Sequence, residues 1–208
     1  MRIASLTILC LALAAVPAFG QWSYNNGPIN GTTDAWTINF GYVVSDTFTL
    51  SAASTTSTIS FGVWEFPGDL LSTVDYTVSA TENGAGVGAT ANVSDKFISS
   101  NQYGYDIDQI TFTSGSFALP AGTYWLNLYN ATVPSGDPVY WDENSGPSSA
   151  SESSVGTIPS EAFTVNSAPL GCGVGNNSPE CTPEPGSILL FGSGILGLVS
   201  VLRGKLHL

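Results

Sequence analysis

The chain is short of positive charge. Its 208 residues hold four Lys and Arg against sixteen Asp and Glu, with a single His at position 207. Arg2, Arg203 and Lys205 lie at the two ends, so between residues 21 and 182 Lys96 is the only base among fifteen acids, a formal charge of −14. Such a surface repels phosphate backbones, and nucleic acid is excluded as a partner. Without an internal histidine there is no Ser-His-Asp or Cys-His catalysis and no His-ligated metal site. A G-x-S-x-G elbow and a P-loop are also missing. Charged residues make up only 10% of the chain, so Ser, Thr, Asn and Gly must supply its polarity. Disorder is the competing reading of that composition. Abundant Trp, Tyr, Phe, Val and Ile argue against it, because they bury enough surface to offset chain entropy.

Cysteine is scarce too. Cys10 lies in an apolar N-terminal run, and Leu9 before it is too large for a lipoprotein signal. Cys172 and Cys181 flank the turn-forming stretch Gly-Val-Gly-Asn-Asn-Ser-Pro-Glu. In an oxidising compartment they are expected to close a small disulfide loop. A two-cysteine metal site would lack its remaining ligands.

The first twenty residues carry a transport instruction. Met1 and Arg2 precede an apolar run from Ile3 to Val16, followed by Pro17-Ala18-Phe19-Gly20. A basic start, an apolar core and small residues ahead of a polar segment form a secretory signal peptide, expected as a helix over residues 1–20. Cleavage is expected after Gly20, with Ala18 as the alternative site and an uncleaved anchor as the competing reading.

Alternation dominates the middle of the chain. Trp36, Ile38, Phe40 and Tyr42 alternate with smaller or polar neighbours, as do Phe48 and Leu50. Ile59, Phe61 and Val63 share one face, opposite Ser60, Gly62 and Trp64. The same period runs through Val74, Tyr76 and Val78, through Ile110 and Phe112, through Tyr124, Leu126 and Leu128, and into Phe163 and Val165. This is the pattern of half-buried strands. Pro67-Gly68-Asp69, Asn83-Gly84, Pro120-Ala121-Gly122 and Pro134-Ser135-Gly136-Asp137 punctuate them as turns. The expected fold is all-β over residues 21–165: an antiparallel β-sandwich with jelly-roll or Greek-key connections. Ser145 to Ser154 reads as a loop, and residues 166–182 as a linker holding the cysteine pair.

The tail has three parts. Pro183, Glu184 and Pro185 precede Gly186, Ser187 and an apolar run from Ile188 to Leu202, closed by Arg203, Lys205 and His207. Fifteen helical residues span about 22 Å, short of a hydrocarbon core of about 30 Å, so flanking small residues must extend a marginal membrane helix. Basic residues beyond it stay cytoplasmic, which leaves the acidic body outside. Gly192-Ser193-Gly194-Ile195-Leu196-Gly197 fits G-x-G-x-x-G, but no βαβ unit surrounds it, so it is not a dinucleotide site. Its small residues suit close helix packing.

Residues 183–208 resemble the PEP-CTERM sorting signal: the motif Pro183, Glu184, Pro185, then an apolar helix over residues 188–202, then the basic end Arg203 and Lys205. The resemblance implies export in a Gram-negative bacterium that makes exopolysaccharide. It also implies recognition by an exosortase-like transpeptidase that cuts near the motif. The protein would be anchored in the inner membrane until then, and would pass to the cell envelope or extracellular matrix afterwards. A plain anchor that is never cut is the alternative.

Within the body, Trp125 and Tyr129 are expected on the outer face of one strand, about 7 Å apart, where they could stack on sugar rings with Asn127 between them. Burial by a covering loop is the competing reading. Trp141 is read as core. Calcium is a secondary hypothesis on Asp106 and Asp108, or on Asp142, Glu143 and Asn144, against the plainer reading of solvated loop acids. No cofactor is expected. The expected role is non-catalytic, structural or adhesive, associated with exopolysaccharide. The rival is a secreted carbohydrate-active enzyme using two carboxylates, for which Glu65, Asp106, Asp108, Asp142 and Glu143 are available.

Overall fold

A computed structural model describes residues 22–169, apart from residues 52 and 116. The signal segment, the Cys172–Cys181 pair, the Pro183-Glu184-Pro185 motif, the apolar run 188–202 and the basic end Arg203 and Lys205 lie outside the described residues. Strands come in quick succession along the chain. The first five are β1 (Trp22–Asn25), β2 (Ala35–Thr37), β3 (Val43–Leu50), β4 (Ser54–Glu65) and β5 (Thr73–Ser79). Next are β6 (Val87–Asn92), β7 (Ser94–Ser100), β8 (Asp106–Thr113), β9 (Ala118–Leu119) and β10 (Gly122–Thr132). The last are β11 (Tyr140–Asn144), β12 (Ala150–Glu152), β13 (Gly156–Ile158), β14 (Ser160–Glu161) and β15 (Phe163–Pro169). Among the described residues there is no helix, and the fold is all-β.

Two antiparallel sheets result. The six-stranded one runs β13-β12-β3-β10-β5-β6. The nine-stranded one is organised around β4, the longest strand. Along one edge β4 pairs with β15 and then, near its end, with β11; along the other it pairs with β9 and β8. β7 pairs with the far side of β8, β1 with β15, and β2 and β14 with β11.

The core lies between the sheets because the alternating rows of both point there. Ile59, Phe61 and Val63 of β4 are fully buried, as are Leu126 and Leu128 of β10. Phe48 and Leu50 of β3 are 1% exposed. Rings meet across the gap: Tyr76 of β5 lies 4.7 Å from Phe112 of β8, centroid to centroid, and its hydroxyl accepts a hydrogen bond from the Gly115 N–H. Trp141, fully buried as expected, packs edge-on against both Phe61 and Phe163. Each such side chain removed from water contributes about 1.5–3 kcal/mol.

Four local expectations are corrected. The row Trp36, Ile38, Phe40, Tyr42 does not form one strand. β2 stops at Thr37, Phe40 and Gly41 take φ of 55° and 88°, and Phe40 is 63% exposed. Two successive left-handed residues make a tight turn, closed by the Tyr42 N–H donating to the Asn39 carbonyl. The stretch from Ser145 to Ser154 is not all loop, since β12 lies inside it and pairs with β3. β1, β6 and β7 were not expected from the sequence. β15 continues to Pro169, held by its register with β4.

Candidate functional site

The strand rows that build the core end in carboxylates. Glu65 follows Ile59, Phe61 and Val63 on the inward parity of β4, and Asp108 precedes Ile110 and Phe112 on that of β8. The register sets Val63 opposite Asp108 and Glu65 opposite Asp106. From the next strand, β7 brings Asp95 opposite Ile110. One carboxylate oxygen from each of Glu65, Asp95 and Asp108 lies within 4.8 Å of the other two. Glu65 is fully buried, Asp108 is 2% exposed and Asp95 is half-buried.

These groups have few donors. Asp95 Oδ2 accepts the Leu71 N–H at 2.7 Å, from the loop between β4 and β5. No hydrogen bond satisfies Glu65 Oε1, Glu65 Oε2, Asp95 Oδ1 or Asp108 Oδ1. Among the described residues the only base is Lys96, and its side chain is exposed. The proton affinities respond. Burial, reinforced by the charges of Asp95, Asp108 and Asp69, pushes Glu65 up to about 8. Asp108 rises to about 7 by burial and then by Asp95 and Asp106. Burial also raises Asp95, opposed by the Leu71 amide.

The other acids are differently employed. Asp106, at the rim, accepts from Ser100 Oγ and the Gly68 N–H. Asp142, Glu143 and Asn144 are buried strand residues, not solvated loop groups. Asp142 accepts from Trp64 Nε1 and from the amides of Asn30 and Gly31; Glu143 accepts from Trp36 Nε1; Asn144 donates to the Asn26 carbonyl. Protein donors already take both Asp142 oxygens that a cation would need. A second buried pair, Asp46 and Glu161, gathers nearby. Asp46 accepts from Asn26 Nδ2 and the Glu161 and Thr47 amides, while both Glu161 carboxylate oxygens are buried without a hydrogen bond.

Trp125 and Tyr129 lie half-buried on the outward parity of β10, opposite the core row Leu126 and Leu128. Asn127 between them is not available to a ligand. It is 1% exposed: its Oδ1 accepts from Ser45 Oγ and the Asn83 N–H, and its Nδ2 donates to Thr77 Oγ1 and Ser79 Oγ. The loop carrying Asn83 covers it, leaving a groove of about 360 Å³ bordered by Asn83, Gly84, Gly86 and Tyr129.

Asp108 and Glu65 were among the five carboxylates the sequence offered, with no spacing to single them out. Asp95 was not, because Ser94-Asp95-Lys96-Phe97-Ile98 has no clean alternation. Compared with known proteins, the chain matches no family model and no curated protein.

Proposed function

We propose that the chain is an exported protein of the cell envelope or extracellular matrix, sorted through its PEP-CTERM tail, whose sandwich has a non-catalytic structural or adhesive role beside exopolysaccharide. The observation that carries this reading is the tail: Pro183-Glu184-Pro185, the apolar run 188–202 and the cations Arg203 and Lys205, in that order. Proline disfavours helix at its own position and the one before it, so Pro183 and Pro185 would leave Glu184 open to reading by an exosortase-like transpeptidase. The signal peptide at the other end agrees in topology, since both place the acidic body outside. Closing Cys172 and Cys181 into a disulfide belongs to the same oxidising compartment.

The body suits that role. Its charge of −14 and hydroxyl-rich surface keep it soluble among polyanions. Chain passage from β3 to β4 and back to β5 alternates between sheets, which supports jelly-roll or Greek-key connections. Trp125 and Tyr129 are the rings offered to sugar. The carboxylates of Glu65, Asp95 and Asp108 point into the sandwich rather than across a substrate cleft, which favours the scaffold over a two-carboxylate glycosidase. Mass spectrometry of the protein from its native envelope tests the reading. A mature C-terminus near Thr182 is expected; a chain still ending at Leu208 would replace sorting by simple anchorage.

A further inference from the structure

We propose that Glu65, Asp95 and Asp108 form a binding site for a hard divalent cation, with Ca²⁺ preferred. The geometry is that of one ion. Two oxygens on the same Ca²⁺, each about 2.3–2.6 Å from it, stand at most about 5.2 Å apart, and the three carboxylates converge within 4.8 Å. Mg²⁺, at about 2.0–2.1 Å, demands a near-ideal octahedron and gives up its waters reluctantly, whereas Ca²⁺ accepts irregular oxygen geometry. Three carboxylates gathered from three separate strands therefore suit the larger ion. Donor type points the same way, since an all-oxygen set with no nitrogen or sulfur suits Ca²⁺ rather than zinc or copper.

A separate observation makes this more than a patch of acids. Glu65 is fully buried and aimed inward, and neither of its oxygens has a hydrogen bond; Asp108 Oδ1 is in the same position. A protein that places a carboxylate there without a donor leaves a polar group whose burial must be offset by a proton or by a cation. Contrast Asp142, equally buried, whose oxygens are filled by Trp64, Asn30 and Gly31. One buried acid is built to be complete, whereas the cluster is built to be completed. Asp95 and Asp69, both half-buried, mark the side from which an ion and its waters enter.

The ion would tie three strands and a loop together. β7 lies at the end of its sheet, beyond β8, and Phe97 and Ile98 on it are exposed. Bridging Asp95 to Glu65 and Asp108 fastens that edge to the central strand. It also fastens the loop after β4, because the Leu71 amide bonds the same Asp95 carboxylate.

The test uses the full chain in detergent micelles, stripped with EDTA and titrated with CaCl₂ or MgCl₂. Equilibrium dialysis with radioactive Ca²⁺ should give one ion per chain, and at a hundredfold excess over Kd the Tm should rise by about 5–10 °C. Glu65→Gln and Asp108→Asn should each abolish both effects while keeping the β-sheet circular dichroism of the ion-free wild type. Asp95→Asn, at the more exposed ligand, provides a variant that folds even if the buried ones do not, and should weaken binding at least tenfold. The proposal is overturned if wild type takes up no Ca²⁺ at about 10 mM, tenfold above the weakest extracellular sites. It is equally overturned if folded Asp95→Asn binds as wild type does, or if Mg²⁺ binds as tightly as Ca²⁺.

Discussion

Replacing Asn127 by Ala tests whether this side chain is a structural tie or a surface group. In the native protein it is 1% exposed and anchors the loop over β10. Its Oδ1 accepts from Ser45 and the Asn83 amide, and its Nδ2 donates to Thr77 and Ser79. Each of these partners has a second bond to fall back on: Ser45 Oγ reaches Asn83 Oδ1, the Asn83 amide reaches Ser45 Oγ, Ser79 Oγ reaches the Thr81 carbonyl, and Thr77 Oγ1 reaches the Gly84 carbonyl. The loss is therefore less than the sum of all the bonds. Counting about 1 kcal/mol for bonding that these partners do not fully replace, plus about 1 kcal/mol for the vacated volume, gives about 2 kcal/mol. Urea unfolding of the full chain in detergent should show that loss with the m-value unchanged, and the Tm should fall by about 4–8 °C. Asn127→Asp should be worse, because a buried charge would face the Thr77 carbonyl. Hydrogen exchange at the Asn83 amide should accelerate in both variants. A loss under about 1 kcal/mol, with Asn83 still protected, would refute the reasoning and return Asn127 to the surface.

Acidity should also tune stability. Burial raises Asp46 to about 6 and holds Glu161 well above an ordinary carboxyl, with the Asp46 charge the next cause for Glu161. The folded chain thus keeps protons that the unfolded chain has released. Stability from these groups is full below about pH 4 and is lost as pH rises through about 6 for Asp46, and further up for Glu161. For Asp46 the loss reaches about 3 kcal/mol by pH 7. Denaturation midpoints of ion-free protein should fall between pH 4.5 and 8, and Glu161→Gln should flatten the fall; an equal slope in the variant would sink this account. Removing both Trp125 and Tyr129 as alanines should lower co-sedimentation with exopolysaccharide roughly tenfold. Unchanged binding would dismiss them as sugar-facing rings.

Much of the fold could be read directly, because a strand between two sheets must alternate and the apolar residues are large enough to mark the parity. Ile59-Phe61-Val63 and Val74-Tyr76-Val78 were legible for that reason, and both rows are in the core. The run from Trp36 to Tyr42 misled. Alternation was present in its letters, but Phe40 and Gly41 turn the chain, and a turn residue need not be polar. β6 and β7 were invisible because most of their residues are exposed and only pairing with β5 and β8 holds them.

Composition and period alone therefore determined that the body is all-β, acidic and without histidine chemistry, since these depend only on which residues are present and how they repeat. Tertiary structure decided which acids matter. Glu65 and Asp108 are 43 positions apart, and only the β4–β8 register, with β7 added alongside, brings them to Asp95. The same assembly withdrew Asn127 beneath a loop and gave Asp142 its donors. Whether a carboxylate is solvated, hydrogen-bonded or left bare is settled by what packs over it, and that information is not local to its own strand.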